Sequence, residues 1–270
     1  MKGMNNMPDQ TTNKFSLVDM PESVDNVVKN LTDLPTKNAG QTFGDIWYLV
    51  FGGISHAADK KRMKYANDLE IYRQELTQTI EQIPENKKVD PSIQITAQAL
   101  ENSKYCVSSQ SLREMFVKLI SGSMNKDFEP FVHPSFPEMI KQMDENDAHI
   151  LMELKRKQNN VPIGEYQEVF NSNNSNLVHF TNAYISDIFH ISMSECSCSL
   201  SSLQRMGLLE ISYESFLTND TFYKPFYETP IFKRLDKEIS SYNRDSKISL
   251  KKGICSITPL GKRFIRVCVS

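Results

Sequence analysis

Excess charge, glycine and long apolar runs are all scarce in this 270-residue sequence. It has 31 Lys and Arg against 33 Asp and Glu, a net charge of −2. No global field therefore recruits nucleic acid or an acidic membrane surface. The longest apolar run, Ile46 to Phe51, falls far short of the roughly 18 residues that a membrane span needs. The opening MKGMNNMPDQTTNKFS lacks the apolar core of a secretion signal, so the expected location is the cytoplasm. With only 10 glycines, the chain offers no phosphate-cradling loop, dinucleotide fingerprint or Gly-x-Ser-x-Gly elbow. Cys106, Cys196, Cys198, Cys255 and Cys268 are odd in number and follow no disulfide spacing, so they read as reduced thiols. Cys196-Ser-Cys198 is too tightly spaced for structural zinc, and no second pair exists. No cofactor and no metal is expected.

What is present is the composition of an ordinary globular chain, with 39% apolar and 24% charged residues. Residues 1–20 are polar and aperiodic and are expected to form a flexible tail. Residues 21–142 read as a helical, bundle-like domain. Pro21 opens a first helix, with Val24, Val27, Val28 and Leu31 at helical spacing. Leu69, Tyr72, Leu76, Ile80 and Ile83 form the apolar stripe of a long helix that Pro84 stops. Asp90-Pro91 is expected to start another helix, which carries Ile93, Ile95 and Leu100. Ser111 and Glu114 have capping-box spacing ahead of Leu112, Met115, Phe116, Leu119 and Ile120.

Residues 143–270 read as a winged-helix-like module, so the fold class is mainly α with a small β component. A helix after Asp144 carries Ile150, Leu151 and Leu154 inward, with Lys155-Arg-Lys157 at its C-terminal end. Val161 to Val169 suggests a short strand, and Leu177 to His190 a helix. Ser192 or Ser194 caps a further helix that runs to about Met206. Gly207 supplies a left-handed stop before Leu208, Leu209 and Ile211 enter a sheet. Thr258 caps a last helix with Pro259 in its first turn. Between the two strands lies an excursion of roughly 40 residues, at about 215–252. Its Glu228–Tyr242 stretch has helical spacing at Ile231, Phe232, Leu235 and Ile239. This order of elements is that of a winged helix.

Three groups of residues invite a functional reading. Arg244, Lys247, Lys251, Lys252, Lys262, Arg263 and Arg266 face only Asp245 as a counter-charge, so a basic wing could touch a phosphate backbone. A solvated basic hairpin explains the same pattern. The helix expected at 194–206 has one acid and one base, which makes it a poor reader of base edges. In residues 43–57, Trp47, Phe51 and Ile54 share a helical face that suits either a core or a membrane or partner contact. Asp147 with Glu153-Leu-Lys155 imitates a nuclease pattern, but both acids fall on one helix, where they would not converge on a metal. No catalytic residue is assigned, and the chain is not expected to be an enzyme.

Several separated segments then coincide in order. They are Ile83-Pro-Glu-Asn86 with Asp90-Pro91, Ser111-Leu-Arg-Glu-Met-Phe-Val-Lys-Leu-Ile-Ser-Gly-Ser-Met124, Val132-His-Pro-Ser-Phe136, Leu203-Gln-Arg-Met-Gly-Leu-Leu-Glu210 and Ile257-Thr-Pro-Leu-Gly-Lys-Arg-Phe264. Over roughly residues 40–270 the chain resembles the abortive infection alpha family. That resemblance implies bacterial defence against phage and brings no catalytic residues with it. The expected partner is a protein: a phage or host component, or a second copy of the chain. Winged-helix DNA binding and membrane action through residues 43–57 are the alternatives.

Overall fold

The computed structural model describes residues 46–48, 50–52, 60–157, 160–173, 175–188, 190–242 and 245–269. The expected tail at 1–20 and the helix after Pro21 lie outside these residues, as do Ile54 and Arg244. The described residues are mainly helical, with one four-stranded antiparallel sheet.

The helices before the sheet follow their apolar stripes. Helix α1 (Lys60–Glu81) buries Tyr72, Leu76 and Ile80. Helix α2 (Ile93–Ser103) begins two residues later than Asp90-Pro91 implies, because Ser92 caps it by accepting from the Ile95 amide. Ile93 consequently sits at the mouth of the helix, 63% exposed, instead of in the core. Helix α3 (Gln110–Ser123) buries the whole expected stripe from Leu112 to Ile120. Its N-cap is Ser109, so Ser111 lies inside the first turn and the expected capping box does not form. The Ser111 hydroxyl instead reaches His149 Nε2 at 3.0 Å. Helix α4 (Phe136–Gln142) carries Pro137 in its first turn. Helix α5 (Glu145–Lys157) starts with a reciprocal pair. The Asp147 amide donates to Asp144 Oδ1 at 2.8 Å, and the Asp144 amide donates to Asp147 Oδ2 at 3.3 Å. Lys155, Arg156 and Lys157 end it, where positive charge suits the helix dipole.

After α5 the expected order needs one correction. Strand β1 (Val161–Phe170) is followed by strand β2 (Asn176–Ala183), not by a helix over Leu177–His190. Apolar residues at 177, 180, 184 and 188 imitate a helical period. The turn at 171–173 nevertheless leads the chain back, and β2 pairs antiparallel with β1. Helix α6 (Met193–Arg205) then has a full capping box between Ser192 and Glu195. Gly207 takes a φ of +74°, the left-handed stop read from the sequence. Strand β3 (Leu209–Ser212) leads into the excursion. The excursion contains a 3-10 turn (Asp220–Phe222), helix α7 (Lys224–Tyr227) and helix α8 (Pro230–Tyr242). Strand β4 (Ser246–Ile257) returns, paired with β1 over ten positions and with β3 over four. The sheet order is β2-β1-β4-β3. The excursion therefore ends earlier than expected. Lys247, Lys251 and Lys252 belong to a central strand and not to a wing loop.

Thr258 caps helix α9 (Pro259–Phe264), and one π-turn (Ile265–Val269) follows. Gly261 packs so closely that a Cβ there would lie 2.1 Å from the Leu208 carbonyl oxygen. Phe264 of α9 meets Phe136 of α4 edge-to-face, with centroids 5.1 Å apart. The main core runs from α1 and α3 through α5 and α6 to α9. A second, smaller core lies between the sheet and the excursion and is built on Tyr166, Tyr223, Phe226, Leu235, Ile239, Ile248 and Leu250.

Candidate functional site

The described basic residues singled out by the sequence are divided between strand β4 and the C-terminal α9 and π-turn. Successive strand residues point to opposite faces, and Lys251 and Lys252 do so here. Lys251 sits over the Tyr213 ring, 5.5 Å from its centroid. Lys252 turns toward the excursion and pairs with Asp220 at 2.7 Å. Its hydrogen bond to Asp220 raises the ammonium above the usual lysine range. Lys247 is exposed on the Lys251 side of the strand. Lys262, Arg263 and Arg266 are elsewhere, at the C-terminal end of the described chain. Arg263 donates to the Pro130 carbonyl at 3.1 Å, and Arg266 stacks over Phe131 at 3.5 Å from the ring centroid.

What does gather is aromatic. The excursion holds itself to the sheet through buried hydroxyls. Tyr223 donates to the Gly253 carbonyl at 2.9 Å, and Tyr166 donates to the Phe226 carbonyl at 2.9 Å. With its inner residues fixed this way, the excursion turns Phe216, Phe222 and Tyr227 outward at 55%, 51% and 41% exposure. Exposed Phe216 and buried Tyr223 flank one charge. Lys252 Nζ lies 5.8 Å from the Phe216 centroid and 5.5 Å from that of Tyr223. Asp220 and Phe222 share the turn that supplies the Lys252 counter-ion. Aromatic rings around a neutralised cation are what recurs at protein–protein interfaces, where Tyr, Trp and Phe supply contact energy and free lysine is depleted. The sequence showed the inserted helix but not which aromatics would remain outside, because that depends on pairing across the sheet.

Trp47 and Phe51 turn inward, as the core alternative for this helical face has it. Their rings lie 4.4 Å apart and Trp47 lies 5.7 Å from Tyr72 of α1. Both residues are buried in the main core. No helix among the described residues is long and apolar enough to cross a membrane.

One polar cluster went unread in the sequence. His149 and His190 meet edge-to-face, with centroids 5.8 Å apart, beside Glu153 and Arg156 in a cleft of about 340 Å³. Its acid is fully engaged. Glu153 accepts from Tyr184, Ser186, the Asp187 amide and Lys157 at 2.7, 2.5, 3.1 and 2.8 Å. Arg156 pairs with Asp187 at 3.0 Å. Asp147, the other half of the nuclease-like pattern, is buried and accepts from Ser202 instead. Burial and neighbouring Asp144 push its carboxyl up. Among the described residues, no group of three or more His, Cys, Asp or Glu side chains could hold a metal ion.

Residues 64–268 match the family described as abortive infection alpha. The chain belongs to that family. The match extends from α1 to the π-turn and so takes in the helices, the sheet and the excursion alike. No curated protein and no solved structure matches the chain.

Proposed function

We propose that this protein defends a bacterial cell against phage, in the cytoplasm, by binding a protein partner through the outer surface of the β3–β4 excursion. Family membership supports the defence role. The observation that carries the binding mode is that the excursion exposes Phe216, Phe222 and Tyr227, with Phe216 over the Lys252–Asp220 pair. The succession α6, β3, β4, α9 supports reading the second half as a winged-helix variant whose wing has grown into this excursion. In such a variant the enlarged wing, and not a helix in a DNA groove, carries recognition. The dispersal of the basic residues favours this over backbone contact with DNA, which needs several cations along one track.

The reading is tested by placing a photo-reactive phenylalanine at position 216 or, as a control, at position 247. Each variant is irradiated in infected and in uninfected cells. A discrete cross-linked protein at 216 and none at 247 is the expected result. Equal cross-linking at both positions, or cross-linking to nucleic acid, would overturn the reading.

A further inference from the structure

Lys118 of α3 and Lys155 of α5 donate their ammonium groups to the same backbone oxygen, the Val269 carbonyl, at 3.2 and 3.1 Å. Two full positive charges thus share one neutral acceptor. Arg266, in the same π-turn as Val269, has its guanidinium over Phe131. Among the described residues, no carboxylate pairs with Lys118, Lys155 or Arg266. Burial lowers the Lys118 ammonium below the usual lysine range; Glu114 opposes that shift and Lys155 adds to it. Among the described residues this positive charge has no paired carboxylate, with Glu114 acting on Lys118 only as a neighbouring charge, and such a site favours an anion.

The structure offers a place for one. Lys118 and Arg266 line a cleft of about 240 Å³ between the end of α1, α3 and the π-turn. Gln82 and Asn125 add side-chain amides, and Phe128 and Val267 close the apolar side. Among the described residues, no Asp or Glu lines it. The amide nitrogens of Gln82 and Asn125 donate to no protein group among the described residues. An ammonium, a guanidinium and neutral amide donors are the set that recognises a phosphate group, the guanidinium through paired N–H bonds and the lysine as a point charge. The cleft is smaller than a typical drug-sized pocket, so it suits a phosphate bearing a small group and not a polymer.

We propose that this cleft binds a phosphate group, either inorganic phosphate or the end of a small phosphorylated molecule, between Lys118 and Arg266. The competing role for the lysine, offsetting the carbonyl end of its own helix, fits poorly, since α3 has no basic residue in its last turn. A bound phosphate would join α1 and α3 to the C-terminal segment and stabilise the folded chain by mass action.

Thermal unfolding of the full chain tests this. The ligands are inorganic phosphate, adenosine 5′-monophosphate and adenosine, each against sodium chloride at matched ionic strength. The expected result is a rise of a few degrees in Tm with one or both phosphates and none with adenosine. A rise with inorganic phosphate assigns the free ion; a rise with the nucleotide alone assigns the ester. The exposed Arg266→Gln variant should fold normally and lose the response. Lys118→Gln should lose it too, and Lys262→Gln, outside the cleft, should keep it. If Lys118→Gln does not fold, Arg266→Gln decides. Equal Tm in chloride, inorganic phosphate and the nucleotide, or a wild-type response from Arg266→Gln, would overturn the proposal.

Discussion

The Tyr184 hydroxyl donates to Glu153 Oε1 at 2.7 Å and ties the segment after β2 to helix α5. Ser186, the Asp187 amide and Lys157 complete the set around the same carboxylate. Burial pushes Glu153 up, but these donors outweigh it and hold the carboxyl below the ordinary glutamate range. Glu153→Gln keeps the shape and removes the charge. It should cost roughly 1–3 kcal/mol in urea unfolding, as expected for charge-assisted bonds in a buried site. The pH dependence follows from the depressed value. The folded carboxyl ionises at lower pH than the unfolded one, so its contribution is complete above about 4.3. It is lost as pH falls through the folded value. The wild type should therefore lose stability more steeply than Glu153→Gln below that range. Parallel acid limbs for the two proteins would contradict the assignment.

Gly207 and Gly261 flank the same β3–α9 junction for different reasons. Gly207 needs its left-handed φ, so Gly207→Ala should cost about 1 kcal/mol. Gly261 has no room for a Cβ against the Leu208 backbone. Relief would require α9 to move away from its core, and Gly261→Ala should cost more, on the order of 3 kcal/mol. Thermal unfolding of both variants checks the order; a milder Gly261→Ala would mean that α9 shifts freely.

Trp47 is the single tryptophan, so its fluorescence reports its own burial. Emission should be blue-shifted, poorly quenched by acrylamide and unchanged on adding anionic vesicles. Trp47→Ala should cost about 3–5 kcal/mol, as large-to-small core changes do. A vesicle-dependent shift would return residues 46–51 to a membrane-contact role.

The thiols divide cleanly. Burial raises Cys255 to about 12 and Cys196 to about 11. Cys198 alone is exposed among the five. A thiol reagent at pH 8 should label one cysteine rapidly in the native state, and Cys198→Ser should abolish that phase. Rapid labelling of a second thiol would show that a packed segment opens.

Legibility in the sequence tracked the range of the interactions. The Thr258 cap, the Gly207 stop and the stripe of α3 depend on neighbours within one or two turns, and all three form as read. Ser111 lies two residues inside the cap position that its spacing implies, because Ser109 is the N-cap and His149, on another helix, meets the Ser111 hydroxyl. Strand β2 has the apolar spacing of a helix, and only its pairing with β1 across the turn makes it a strand. The candidate surface was half legible. The amphipathic stretch predicted α8, but Lys252 and its aromatic neighbours come together only when β4 pairs with β1. Lys118 and Arg266 converge on one cleft from opposite ends of the fold, and no local pattern encodes that.

The most direct measurement is phage plating on cells that express three versions of the protein. One is the wild type, one is Phe216→Ser with Phe222→Ser, and one is Lys247→Gln with Lys251→Gln. All four positions are exposed, so each variant should match the wild type in circular dichroism and abundance. Loss of two aromatic anchors at a protein interface should weaken binding by about 100-fold, near 2.7 kcal/mol. The account predicts that the aromatic variant loses protection and that the lysine variant keeps it. Protection that survives the aromatic changes and disappears with the lysines would contradict the account and point to nucleic acid.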